Sequence, residues 1–266
     1  MVYYIILFSS AYITLSAVTA YGFIDSWYWP WLALLLFINI FMLGVAAFFV
    51  FCWFLSFFVD VNKPIHRQNQ YFYHLLCQAA FLVLRILRVH IRFSGKEYLP
   101  KNCQFLLVCN HIAWLDPAVA LVLLKKYHLA FISKKENYSY PIAGPFLHKT
   151  ACLGIDREND REALKTINKA AELIKDDVCP IGIFPEGWVS KTGELLEFRH
   201  GAFRIAKKAE CPVIVCKITG SDKIFKKRLF KKCEVHFEIK GVVPLEFVKE
   251  HKTFEISKLA REIMTK

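Results

Sequence analysis

No lysine or arginine occurs before Lys63, and Asp25 is the only acid before Asp60. Two apolar runs fill this stretch, about Val2 to Phe23 and Trp31 to Val59. Each reaches the ~20 residues a helix needs to cross a hydrocarbon core. The second is longer than the core requires, which predicts tilt or a kink. Between them, Trp27, Tyr28, Trp29 and Trp31 form an aromatic cluster suited to a membrane–water interface. A signal peptide is the alternative for the first run, but it lacks a basic start and a second span follows. Residues 1–61 are therefore expected to form a transmembrane helical hairpin. Lys63 and Arg67 follow it directly, which places the remainder and both termini on the cytoplasmic side of a cell membrane.

The net charge of +12 lies entirely beyond these spans. A basic domain tethered to a bilayer suits anionic membrane lipids, phosphorylated substrates or an acidic carrier. Nucleic acid is the rival partner; no nucleic-acid motif occurs, and the tether argues against it. The nine cysteines form no C-x-x-C pair. Cys103, Cys109, Cys211 and Cys216 sit in or beside apolar strand-like runs, as buried free thiols in a reducing compartment would. No metal-ligand spacing, dinucleotide or nucleotide fingerprint, or G-x-S-x-G elbow is present, so no metal and no cofactor is expected.

Residues 62–90 read as an amphipathic helix with an apolar stripe at Tyr71, Leu75, Ala79 and Leu82. It suits either the membrane interface or a place against a domain core. Residues 91–266 then alternate. Short β-rich runs at Val89–Ser94, Gln104–Cys109, Leu129–Ser133, Ala151–Asp156, Ile181–Phe184, Val213–Ile218 and Glu234–Ile239 are spaced by helical runs at Pro117–Lys125, Glu158–Lys175, Gly201–Lys208 and Thr253–Met264. This predicts an α/β fold with a mostly parallel or mixed sheet flanked by helices.

Chemistry concentrates at strand ends. Asn110-His111 ends one buried run, and Asp116-Pro117 reads as a helix start with Asp116 as N-cap. Five residues along a regular helix would put His111 and Asp116 on different faces. A strand-to-helix turn can fold the carboxylate back, leaving one imidazole nitrogen free as a base while Asp116 holds the other. Phe184-Pro185-Glu186-Gly187 ends a second such run.

N-H-x4-D followed by F-P-E-G resembles the glycerolipid acyltransferase family typified by 1-acyl-glycerol-3-phosphate acyltransferase, from roughly Gly95 to Gly241. The resemblance implies a glycerol-3-phosphate acyltransferase-like fold and phospholipid biosynthesis. A fatty acyl group would pass from acyl-CoA or acyl-carrier protein to lysophosphatidic acid, giving phosphatidic acid. His111 would be the base and Asp116 its orienting carboxylate. Glu186 and Gly187 would help form the acceptor site, with Glu186 orienting a cation or bonding a hydroxyl. Asn110, Phe184 and Pro185 would support the motifs.

Gly154-Ile-Asp-Arg157 resembles the intermediate family motif, which implies that Arg157 contacts phosphate, with Lys134 as a second cation. Phe198-Arg-His-Gly-Ala resembles a further family segment; Arg199 is either a third phosphate contact or a surface cation. One departure stands out. Family members often continue Gly-Thr-Arg-Ser, whereas this chain has Gly187-Trp-Val-Ser190, which puts head-group selection in doubt. Other acceptors in view are a different lysophospholipid or glycerol-3-phosphate. A non-catalytic lipid-binding protein is the alternative from another class.

Overall fold

The computed structural model describes residues 1–22, 24, 26–101, 103–226 and 231–266. The expectations that fall on Phe23 and Asp25 lie outside these residues. The chain divides into two compact units, Met1–Asp60 and Val61–Lys266.

The first unit is a pair of helices, α1 (Val2–Ala20) and α2 (Trp29–Ser56). Pro30 sits in the first turn of α2, where its missing N–H costs no bond. The helices pack on each other, and Ser10, Thr14 and Val18 of α1 and Val45 of α2 are among the residues buried in this unit. At Gly44 a Cβ would lie 2.8 Å from the Ile6 Cγ2, so close approach needs glycine there. Both helices are long and apolar enough to cross a membrane. At 1.5 Å per residue the 28 residues of α2 span about 42 Å, more than a ~30 Å hydrocarbon core.

The second unit is a seven-stranded mixed sheet covered by helices. In chain order come α3 (Gln70–Ile86), β1 (Val89–Ser94), β2 (Leu106–Cys109), α4 (Asp116–Leu123), β3 (Ala130–Lys134), α5 (Ala143–Lys149), β4 (Leu153–Ile155) and α6 (Asp160–Lys175). After these come β5 (Ile181–Ile183), α7 (Arg204–Ala209), β6 (Val213–Thr219), β7 (Cys233–Val243), α8 (Leu245–Glu250) and α9 (Thr253–Thr265). The strand order is β1-β7-β6-β2-β5-β3-β4. Strands β2 to β6 are mutually parallel; β7 runs antiparallel to β6, and β1 follows β7. Parallel neighbours require crossovers, which α4, α5, α6 and α7 supply. Strand β2 lies between β5 and β6, and all four of its residues are buried, as a strand covered on both faces should be.

Helix α6 shows the local rules well. Asn159 caps it, its side chain accepting from the N–H groups of Arg161 and Glu162. Such a cap contributes about 1 kcal/mol. Asp160 and Glu162 lie at its positive end and Lys175 at its negative end.

Three expectations are revised. The helix expected over residues 62–90 starts only at Gln70, where the Asn69 side chain accepts from Phe72 N–H, and it ends before β1. Its buried side is broader than a stripe, with Tyr73, Leu75, Cys77, Ala80, Leu82 and Leu84 all inside, because it packs on both α4 and α5; Tyr71 is exposed. Cys103 is exposed, since β2 begins only at Leu106; Cys109, Cys211 and Cys216 are buried and free.

Candidate active site

Strand β2 delivers Asn110 and His111 at its carboxyl end. Asn110 clamps the neighbouring β6: its Oδ1 accepts from Ile218 N–H at 2.7 Å and its Nδ2 donates to Ile218 O at 2.9 Å. This ties the catalytic-looking loop to the sheet where regular pairing stops.

The chain then turns so that the Asp116 carboxylate folds back onto the loop before it. Its Oδ2 accepts from His111 Nδ1 (2.9 Å), Ile112 N–H (2.7 Å) and Ala113 N–H (2.8 Å). Its Oδ1 accepts from the Ser221 hydroxyl at 2.6 Å. The residue is only 1% exposed, and four donors replace the water a buried carboxylate would otherwise lack. Asp116 is thus not the N-cap of its own helix, as its place before Pro117 suggested. Leu115 is the capping residue, and Asp116 is the first helical residue. Its oxygens point backwards, where they have better partners than the helix offers.

With Asp116 ionised, Nδ1 of His111 carries the ring proton and Nε2 keeps its lone pair. The imidazole is stacked on Phe184, centroids 4.1 Å apart at 21°, and Phe184 in turn on Phe131. The ring is therefore fixed both in its plane and along its edge.

The β5 turn holds the backbone of the same histidine. Glu186 Oε1 accepts from His111 N–H at 2.7 Å, and Oε2 from Leu196 N–H at 2.9 Å. Ser190 N–H donates to His111 O at 2.7 Å. Burial pushes the Glu186 carboxyl above its ordinary range, and the two N–H donors pull the other way. Both Glu186 oxygens thus accept from backbone N–H groups, and the charge of Arg261 also acts on the carboxylate. Gly187 adopts φ +77°, and a Cβ there would lie 2.9 Å from Arg199 Nε. Glycine thus lets Arg199 lie against the turn, while Arg199 N–H donates to Pro185 O.

Beside Phe184 opens a cleft of about 590 Å³. Its lining combines apolar Ile132, Ile155, Leu164, Ile167, Ile183 and Phe184 with Arg157, Arg199, His200, Arg204 and the single acid Asp160. Burial and then the charge of Arg199 lower the pKa of Arg157, so two guanidiniums stand close enough to repel. An anion between them would relieve that repulsion. Arg157 also lies over the Trp188 ring, 5.1 Å from its centroid. A second cleft of about 440 Å³ shares Arg157 with the first and adds Trp188, Lys134, Lys135, Glu136 and Asp156. Lys134 is there, but paired with Glu136 at 3.1 Å on the surface.

The structure thus brings His111, Asp116, Asn110, Phe184, Pro185, Glu186 and Gly187 into one constellation, with Arg157 along the cleft and Lys134 farther out. Ser221 escaped the sequence reading. It lies 105 residues from Asp116, in a turn with no motif of its own, and only the pairing of β6 with β2 brings it near. Trp188 was visible as a departure from the motif, but its place over Arg157 was not. Among the described residues, no group of three or more His, Cys, Asp or Glu side chains could hold a metal ion.

Comparison with known proteins shows what the chain is similar to. The Acyltransferase family model matches residues 90–219. The 1-acyl-sn-glycerol-3-phosphate acyltransferase of Bacillus subtilis (strain 168) is 31% identical over 156 residues, covering 59% of this chain and 75% of that protein. The protein of the same name from Cocos nucifera is 28% identical over 165 residues, of which the match spans 62% of this chain but only 53% of the relative. The crystal structure of the 1-acyl-sn-glycerophosphate (LPA) acyltransferase PlsC from Thermotoga maritima has the same fold, with a TM-score of 0.59, 20% identity, and coverage of 82% of this chain and 85% of that one.

Proposed function

We propose, for a chain that belongs to the 1-acyl-sn-glycerol-3-phosphate acyltransferase family, that it is a membrane-bound O-acyltransferase making phosphatidic acid from lysophosphatidic acid. The observation that carries the reading is the His111–Asp116 pair beside a cleft with an apolar lining and a pair of guanidiniums. His111 Nε2 takes the proton of the free acceptor hydroxyl as that oxygen attacks the carbonyl carbon of an acyl thioester. Asp116 keeps the Nδ1 proton in place and steadies the imidazolium that forms. The C–S bond breaks, the thiolate leaves, and His111 can return the proton to it. No covalent acyl-enzyme is required.

Arg157 and Arg199 bind the acceptor phosphate, each guanidinium offering a planar fork of donors. Lys134 adds charge at the outer rim. The apolar lining of the cleft suits an acyl chain. Asn110, Phe184, Pro185, Glu186 and Gly187 hold the histidine rather than the substrate. The donor is acyl-CoA or acyl-carrier protein. The two apolar helices cross the cell membrane and leave the α/β unit and both termini in the cytoplasm, where Lys63 and Arg67 belong.

A different lysophospholipid head group is the second reading. What favours it is Trp188, which lies over Arg157 where related chains often carry Thr-Arg after the glycine. Purified full-length protein, assayed with a panel of lysophospholipids and glycerol-3-phosphate against both thioester donors by mass spectrometry, tests both readings. Lysophosphatidic acid should be the preferred acceptor. No transfer to any acceptor would overturn the enzymatic reading, and preference for another head group would select the second.

A further inference from the structure

Because β2 to β6 run parallel to one another, the connections leaving these strands all emerge at one edge of the sheet, the edge that holds His111. Four of them carry a large aromatic side chain in solvent. Trp114 follows β2 and is 82% exposed, Tyr140 follows β3 (60%), Trp188 follows β5 (51%) and Phe225 follows β6 (65%). Trp114 and Trp188 are the only tryptophans beyond residue 60. A single exposed apolar side chain is ordinary on a protein surface; a set gathered on one edge marks a contact surface.

The same connections are basic. Lys134, Lys135, Lys191, Lys223 and Lys226 stand there. Glu136, Asp156 and Asp222 are held in pairs with Lys134, Lys135 and Lys226. Glu158 and Glu194 temper the charge, while Lys191 and Lys223 carry no ion pair among the described residues. Tryptophan favours the depth where head groups meet acyl chains, and lysine favours an anionic surface. Helix α3, the other candidate for lipid contact, has most of its apolar side chains committed to α4 and α5.

We propose that this edge of the sheet docks on an anionic bilayer surface, with Trp114 and Phe225 at head-group depth and Lys191 and Lys223 facing the lipid phosphates. The proposal rests on the membrane tether proposed above. Docking opens His111 onto the layer in which a lysolipid resides, so the acceptor reaches the base without crossing water. It also brings lipid contact to the turn that starts at Ser221, the residue bonded to Asp116.

The test uses the full chain and its Trp114→Phe variant, reconstituted in vesicles of phosphatidylcholine and phosphatidylglycerol. The difference between their fluorescence signals isolates Trp114. Lipid brominated near the head group should quench about half or more of that difference, and aqueous iodide on both faces should leave it nearly untouched. A chain that does not float with the vesicles overturns the tether, and docking with it. A chain that floats while Trp114 remains open to iodide and blind to the bromolipid overturns docking alone. Activity gives an independent reading. In the double variant Trp114→Ala and Phe225→Ala, the KM for a long-chain acceptor in vesicles should rise about tenfold, and turnover of a short-chain, monomeric acceptor should stay within about twofold. Equal losses on both acceptors would mean that these side chains serve the site rather than the surface.

Discussion

Phe8, Tyr12, Leu43 and Phe54 of the helical pair turn half or more of their surface outward, whereas Phe105, Phe203 and Phe237 of the α/β unit expose none. The residues are of one chemical kind, and only their surroundings differ. In the α/β unit, apolar side chains find partners on two faces of a sheet. In the pair, two helices that are apolar on all sides can cover only the strip between them, so the rest needs another apolar solvent. On the membrane-bound reading proposed above, the difference teaches that burial inside a protein and burial in lipid are alternative ways to satisfy the same side chains. It also implies that anchor and chemistry are separable, since every proposed site residue lies beyond Asp60.

The sharpest way to break this comparison is to disable one unit and watch the other. His111→Ala should lower turnover by about 10² to 10⁴ while membrane association is unchanged and the α/β fold is retained by circular dichroism. Near-normal turnover would remove His111 as the base. Deleting residues 1–60 should abolish flotation in high salt and leave an α/β circular dichroism spectrum. Residual binding at low salt should come from the basic surface and weaken as salt is added. Full flotation of the truncated chain in high salt would show that the α/β unit holds lipid without the helices.

Smaller effects sharpen the division within the α/β unit. Arg157→Ala should raise the acceptor KM about tenfold or more, the worth of a charge-assisted hydrogen bond of roughly 1.5–3 kcal/mol, and leave the donor KM alone. Arg157→Lys should recover only part of the loss, because an ammonium lacks the planar fork. A change confined to the donor KM would reassign Arg157 to the thioester. Ser221→Ala removes one of the four donors to Asp116, so kcat should fall several-fold, by about 1 kcal/mol, with little change in either KM. Ser221→Thr should restore much of it. An unchanged kcat would show that the three donors to Oδ2 suffice.

The smallest effect concerns Glu186. Its folded pKa is raised by burial above the ordinary value of 4.5. The cost of ionising it is therefore absent below pH 4.5 and builds as pH rises through the folded value. Glu186→Gln cannot titrate, so the stability advantage of the wild type over this variant should shrink with rising pH across that interval. Thermal unfolding of both proteins in detergent measures it. A growing advantage would mean that the N–H bonds from His111 and Leu196 outweigh burial.

The seven strands were legible as short β-rich runs because a strand covered on both faces is continuously apolar, and β2 and β5 show this plainly. Helix α5 and helix α8 were not, for they are short and their side chains are sorted by neighbours distant in sequence. The start of α3 was misjudged by eight residues' worth of polar chain that includes Pro64, and its true start depends on a cap at Asn69. In the site, the pairing of His111 with Asp116 could be foreseen from a strand-end motif. The task of Glu186 could not, because an acid in a turn can face a ligand or a backbone with equal ease.

The sequence by itself determined where apolar residues accumulate without charge, where strand-like runs end in His, Asp, Glu and Gly, and hence the two-part plan and the class of chemistry. These are local properties, set by spacing and side-chain type over a few residues. Only the tertiary structure decided which groups share a charge or a hydrogen bond across the sheet. Asn110 with Ile218, Asp116 with Ser221 and Arg157 beside Arg199 all depend on strand order and register. A hydrogen bond acts over about 3 Å, and residues far apart in sequence come within that reach only when parallel strands bring their ends to one edge.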